Sequence, residues 1–67
     1  MVRGMVKWFN PTKGYGFIQP QAGGRDEFVH MSAVERAGLS SLNEGQHIEY
    51  EIEESRGKTS AVNLKVK

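Results

Sequence analysis

The sequence predicts an all-β fold, with five short strands closed or nearly closed into a barrel. Three observations carry this. Apolar and polar residues alternate in several short runs, most clearly over 46–54, where Ile48, Tyr50 and Ile52 share one face and Glu49, Glu51 and Glu53 the other. Turn-forming residues separate these runs. The chain has only 67 residues, enough for a single small domain over 1–67, and closing such a sheet limits its exposed edges.

The elements follow in order. Residues 2–10 read as a first strand, ended by Asn10-Pro11, because proline cannot donate to a ladder. After the turn Pro11-Thr12-Lys13, residues 14–20 read as a second strand. Gly23-Gly24 signals the next hairpin, and 26–31 read as a third strand. The connection over 32–45 is long for a loop. Ser32 with Glu35 three residues on fits a capping box for one helical turn, which Gly38 would stop. Residues 46–54 form the fourth strand, 55–58 a turn, and 59–66 the fifth, with Val62, Leu64 and Val66 inward. Two barrel types fit this pattern, OB-type and SH3-like, and strand periodicity does not separate them.

Composition narrows the function. There is no cysteine, which fits a reducing, cytoplasmic setting. The N-terminus carries no long apolar run, so no signal peptide is expected, and no stretch approaches a membrane span. The net charge of +1 conceals a pattern. Residues 1–25 carry +4, residues 26–54 carry −7, and residues 55–67 carry +4. If the two ends meet, one face is basic and another acidic.

Five of the six aromatic residues, Trp8, Phe9, Tyr15, Phe17 and Phe28, lie in the first 28 positions. In the segment Lys13-Gly14-Tyr15-Gly16-Phe17, strand alternation puts Tyr15 and Phe17 on one face, with Gly14, Gly16 and Ile18 opposite. Val6, Ile18, Val29, Ile48, Ile52, Val62 and Leu64 already make a plausible core, so the rings are surplus to it. The same outward face would carry Lys7, Trp8 or Phe9, Phe28 and His30. An exposed aromatic patch beside lysines suits nucleobase stacking, with phosphates held alongside. On this reading the glycines let the strand curl and leave room beside the rings for a flat base. The alternatives are rings that fill the barrel interior and a protein-binding patch.

Other chemistry finds little support. His30 and His47 are the only histidines and show no metal-ligand spacing, so no metal or cofactor is expected. The serines form no nucleophile elbow, and no Gly-Lys-Ser/Thr follows the glycines to make a phosphate loop. No catalytic residues emerge, and an enzyme is not expected. Glu49, Glu51, Glu53 and Glu54 read as a solvated strand face that repels nucleic acid.

Residues 13–17 match the first five positions of the ribonucleoprotein consensus, K/R-G-F/Y-G/A-F. RNA-recognition-motif domains carry it too, but they need two amphipathic helices that this chain lacks. Val6-Lys7-Trp8-Phe9-Asn10, residues 13–18, Phe28-Val29-His30 and residues 41–46 together resemble the bacterial cold-shock proteins over essentially the whole chain. The resemblance implies a five-stranded antiparallel Greek-key barrel, the OB-fold. It implies a monomer that binds single-stranded RNA and DNA with low sequence preference, melts RNA secondary structure without ATP, and acts in transcription or translation under cold or other stress. It assigns stacking to Trp8, Tyr15, Phe17, Phe28 and His30, with Phe9 partly exposed. Lys7, Lys13 and Arg56 would meet backbone or base edges, although Lys13 also reads as a solvated turn lysine. Asp26 is either an acceptor for a base N–H or an ordinary hairpin charge. The rival class is an SH3-like barrel docking proline-rich segments.

Three residues depart from the family pattern. Met31 stands where a surface phenylalanine is usual, and Leu39 where a loop aromatic is common. Both can pack on a base but offer no π face, so stacking should be weaker at that end. Glu27 stands where an inward valine is usual. A buried unpaired carboxylate is costly, so Glu27 is expected at the sheet margin or paired with Arg25 or Lys65.

Overall fold

A computed structural model describes residues 1–66. All five expected strands are present: β1 (Val2–Asn10), β2 (Tyr15–Pro20), β3 (Glu27–His30), β4 (His47–Ser55) and β5 (Lys58–Val66), with a short helix α1 (Met31–Arg36) after β3. They close into a barrel in the order β1-β2-β3-β5-β4. The sheet is mixed: β3 meets β5 in parallel through Val29 and Ala61, while the other four contacts are antiparallel.

Boundaries moved where local conformation forced them. Gly14 has φ +85° and precedes β2, because left-handed backbone cannot continue a strand. Met31 leaves β3 and opens α1. The expected cap at Ser32 is corrected: His30 is the N-cap, with its side chain accepting from the Ser32 N–H. Gly38 follows the C-cap Ala37 at φ +80° and ends the helix as anticipated. The tip of the β4–β5 hairpin is the two-residue turn Arg56-Gly57, both at positive φ, which matches strand twist.

Two bulges set which side chains enter the barrel. On β1, Val6 pairs with Ile18 and Trp8 with Phe17, leaving Lys7 as the extra residue. A bulge puts neighbouring residues on one side, so Lys7 and Trp8 both face out while Val6 stays buried. On β5, Asn63 adopts φ +52°, opposite a register shift between Glu49 and Glu51 of β4. Alternation therefore changes phase, and Ala61 and Leu64 are buried. The expected inward placement of Val62 fails for this reason, and Val62 is half-buried; Val66 keeps the phase of Leu64 but, at the end of β5, is 38% exposed. Ile52 is also not core, being 51% exposed, because residues 51–59 of the hairpin are exposed throughout.

The core is Val6, Ile18, Val29, Ile48, Tyr50, Ala61 and Leu64, closed by Ala33 and Val34 of α1 and by Leu42. The acidic strand β4 lies between the strands of the two basic ends, so β1 and β5 are not neighbours. Arg3 of β1 instead pairs with Glu49 at 3.0 Å, and Glu51 accepts from Asn63 at 2.7 Å.

Glu27 is half-buried opposite Ile18, and its Oε1 is buried without a hydrogen-bond partner. No pairing with Arg25 or Lys65 forms through that oxygen. The Tyr50 hydroxyl is likewise buried and unpaired. Burial first, and the Glu27 carboxylate second, push the Tyr50 phenol above its ordinary value. Glu27→Val should therefore stabilise the domain by about 1–3 kcal/mol, the usual cost of an unsatisfied buried polar group. Each kcal/mol raises the melting temperature by about 4–8 °C in a domain this size. An unchanged or lower melting temperature would show that Glu27 is satisfied in solution.

Candidate nucleic-acid interface

β1, β2 and β3 together present a row of rings. Strand pairing sets Trp8 beside Phe17, Phe17 beside Phe28, and Tyr15 beside His30. Trp8 lies 5.5 Å from Tyr15 and 5.4 Å from Phe17 between ring centroids. Phe28 stacks on Tyr15 at 5.8 Å and 24°, meets Phe17 edge-on at 5.9 Å, and lies 6.3 Å from His30. These spacings fall in the range of favourable aromatic pairs. None of the five rings is buried: Trp8 is 36% exposed, His30 is exposed, and Tyr15, Phe17 and Phe28 are half-buried. Part of each ring stays open to solvent while the rings support one another.

Of the six candidate platform rings, Phe9 is the one turned away. It is half-buried, packs on the core, and lies over Gly16. A Cβ on Gly16 would sit 2.4 Å from the Trp8 carbonyl oxygen and 2.7 Å from Phe9 Cα. This corrects the expected role of the glycine. Gly16 leaves no room for a base; it lets β1 and Phe9 approach β2 from inside the barrel. Gly14 serves its turn through its positive φ, with only the Met31 Cβ near its missing side chain.

The charged residues divide. Lys7 Nζ donates to Asp26 Oδ2 at 2.8 Å, with the two side chains 54% and 30% exposed. An exposed pair is worth about 0–1 kcal/mol, so an incoming phosphate can take Lys7 from Asp26 at small cost. Lys13 is exposed in the turn, where Asn10 Oδ1 accepts the backbone N–H groups of Thr12 and Lys13. Arg56 is exposed at the hairpin tip. A groove of about 570 Å³ runs beside the rings, lined by Phe17, Phe28, Ser55, Lys58, Thr59 and Ser60. Lys58 was missed in the sequence. Its neighbourhood arises from the β3–β5 closure, which no local pattern announces. Met31 and Leu39 are half-buried and pack against the core, so each offers the surface only part of its side chain.

Among the described residues no group of three His, Cys, Asp or Glu side chains could hold a metal ion, and no helix is long and apolar enough to cross a membrane.

The family model described as the "cold-shock" DNA-binding domain matches residues 2–67. The chain is 60% identical over 67 residues to a cold shock protein CspA of Rhizobium meliloti, covering 97% of each chain. It is 59% identical over 64 residues to a cold shock-like protein CspA of Rickettsia bellii, covering 96% of this chain and 91% of the relative. A cold shock-like protein CspC of Escherichia coli is 48% identical over 63 residues, with 94% and 91% covered.

Proposed function

We propose that this chain, which belongs to the cold-shock DNA-binding domain family, binds single-stranded RNA and DNA with little sequence preference. The observation that carries this reading is the continuous row Trp8, Phe17, Tyr15, Phe28 and His30, none of them buried, with cations at its margin. Each base–aromatic stack is worth about 1–3 kcal/mol and accepts any base. A duplex hides its base faces, so only the unpaired strand uses the platform. Binding the unpaired form pulls hairpins open by mass action, giving RNA-chaperone activity without ATP. Lys7, Lys13, Arg56 and Lys58 follow the phosphates, and Asp26, released from Lys7, accepts a base N–H. The protein works as a cytoplasmic monomer, one domain over 1–67, with no catalytic step. Roles in transcription or translation during cold or other stress follow from opening structured RNA.

The test uses Trp8, the only tryptophan. Titration with a short oligothymidine should quench its fluorescence strongly, a matched duplex should do so weakly, and salt should reduce the effect moderately because few cations line the face. Indifference to every oligonucleotide, with a response to a proline-rich peptide, would move the protein to the interaction-module class.

Met31→Phe should tighten oligothymidine binding by about fivefold, the low end of one added stack. It places a π face next to His30 at the start of α1. Equal or weaker affinity in the same titration would mean that the new ring packs into the core as Met31 does.

A further inference from the structure

His30 differs from the other platform rings in carrying two nitrogens, and one of them is already engaged. Its Nδ1 accepts the Ser32 backbone N–H at 3.1 Å and lies 3.0 Å from Ser32 Oγ. A ring nitrogen that accepts an N–H holds no proton of its own. The neutral imidazole must then carry its proton on Nε2. Nε2 lies across the ring from the cap, and His30 is exposed.

We propose that Ser32 is a positioning residue that fixes the His30 imidazole as its Nε2–H tautomer, so that His30 meets the bound strand as a hydrogen-bond donor as well as a stacking surface. This rests on the nucleic-acid reading above. The N–H lies in the ring plane, so the base stacked on the face cannot receive it. It reaches what lies beside that base: an acceptor oxygen, either on a phosphate or on the carbonyl of an adjacent base. The N-cap thus has two consequences. It satisfies a backbone donor of α1, and it sets which hydrogen-bonding character the end of the platform shows. The other four rings of the row are carbon-faced or, for Tyr15 and Trp8, carry polar atoms whose tautomer is not in question. His30 is the one ring whose donor identity depends on a neighbour.

Two measurements test this. Imidazole nitrogen-15 spectra of the free wild-type protein should show a protonated Nε2 and an unprotonated Nδ1, and Ser32→Pro, which removes the backbone N–H that Nδ1 accepts in the first turn of α1, should shift the His30 signals toward tautomer averaging. A protonated Nδ1 in the wild type overturns the proposal without reference to any ligand. Binding is then scanned with short oligothymidines. One set carries a single methylphosphonate linkage at each position in turn, and the other a single thiocarbonyl thymine. Beyond the losses that the cations produce in both proteins, wild type should lose about tenfold more than His30→Phe at one position in one set, as for one good hydrogen bond to an acceptor. The set in which the loss occurs identifies phosphate or carbonyl as the source. His30→Phe, which keeps a ring, should lose that position-dependence. Scans of wild type and His30→Phe that match at every position in both sets overturn the donor role while leaving nucleic-acid binding intact. Failure of the unmodified oligothymidine to bind would instead overturn the nucleic-acid reading, and the donor role with it.

Discussion

Replacing Phe28 with alanine is expected to weaken binding of a short oligothymidine by about five- to 140-fold, the range of one lost base–aromatic stack. Phe28 links His30 to the rest of the row, with Tyr15, Phe17 and His30 all within 6.3 Å of its ring. Its removal deletes one stacking face. It also removes the ring stacked on Tyr15 and the edge contact with Phe17, each such pair being worth about 0.5–1.5 kcal/mol. The loss should therefore lie toward the upper end of the range. Fold stability should fall less than affinity, because Phe28 is half-buried and outside the core cluster.

Salt separates this effect from electrostatics. Stacking carries no net charge, so Phe28→Ala should lower affinity by a similar factor at low and high salt. Lys7→Ala should instead flatten the salt dependence, because each phosphate contact contributes to that slope. Phe28→Trp, with a larger π face, should bind at least as well as wild type. A Phe28→Ala protein that remains folded and binds oligothymidine normally would mean that the strand follows another face.

Much of this platform was legible because strand alternation is a local rule. Tyr15 and Phe17 fall on one face of β2 with Gly16 and Ile18 on the other, and the burial pattern agrees. The five strands and the stop at Gly38 were legible for the same reason, since turn residues act where they stand. The failures come from events that a period of two does not contain. Lys7 is an extra residue on β1, and only the β1–β2 register shows why Trp8 rather than Phe9 joins the surface. Asn63 changes the phase of β5, burying Ala61 where Val62 was expected. His30 captures the helix cap from Ser32 because Met31 already belongs to α1. The proximity of Lys58 to Phe17 and Phe28 depends on barrel closure. Each of these is a long-range or register effect, set by how strands meet.

Gly16→Ala tests the most consequential of the corrected readings. If the glycine merely cleared space for a base, a methyl group would weaken binding and leave the fold unharmed. The geometry predicts the reverse order. The added Cβ would lie 2.4 Å from the Trp8 carbonyl oxygen and 2.7 Å from both Phe9 Cα and Phe9 Cδ1. Two of those three atoms are backbone, so rotating a side chain cannot relieve the overlap. β1 and β2 would have to separate along the Gly16–Phe9 pairing. Overpacking that shifts backbone costs about 1–3 kcal/mol and occasionally more, and contacts this short with backbone atoms belong at its upper end, against a net stability of about 3–5 kcal/mol for a domain of this size. A large part of the fold's stability would go. Gly14→Ala is the matched control. Its Cβ would meet only the Met31 Cβ, at 3.8 Å, so the cost is that of holding alanine at φ +85°, about 1–2 kcal/mol. Urea unfolding of the two variants should therefore place Gly16→Ala well below Gly14→Ala, with Trp8 reporting both transitions. Equal stabilities would return the conformational reading to Gly16. A Gly16→Ala protein as stable as wild type, yet weaker toward oligothymidine, would restore the idea that the position was kept open for a base.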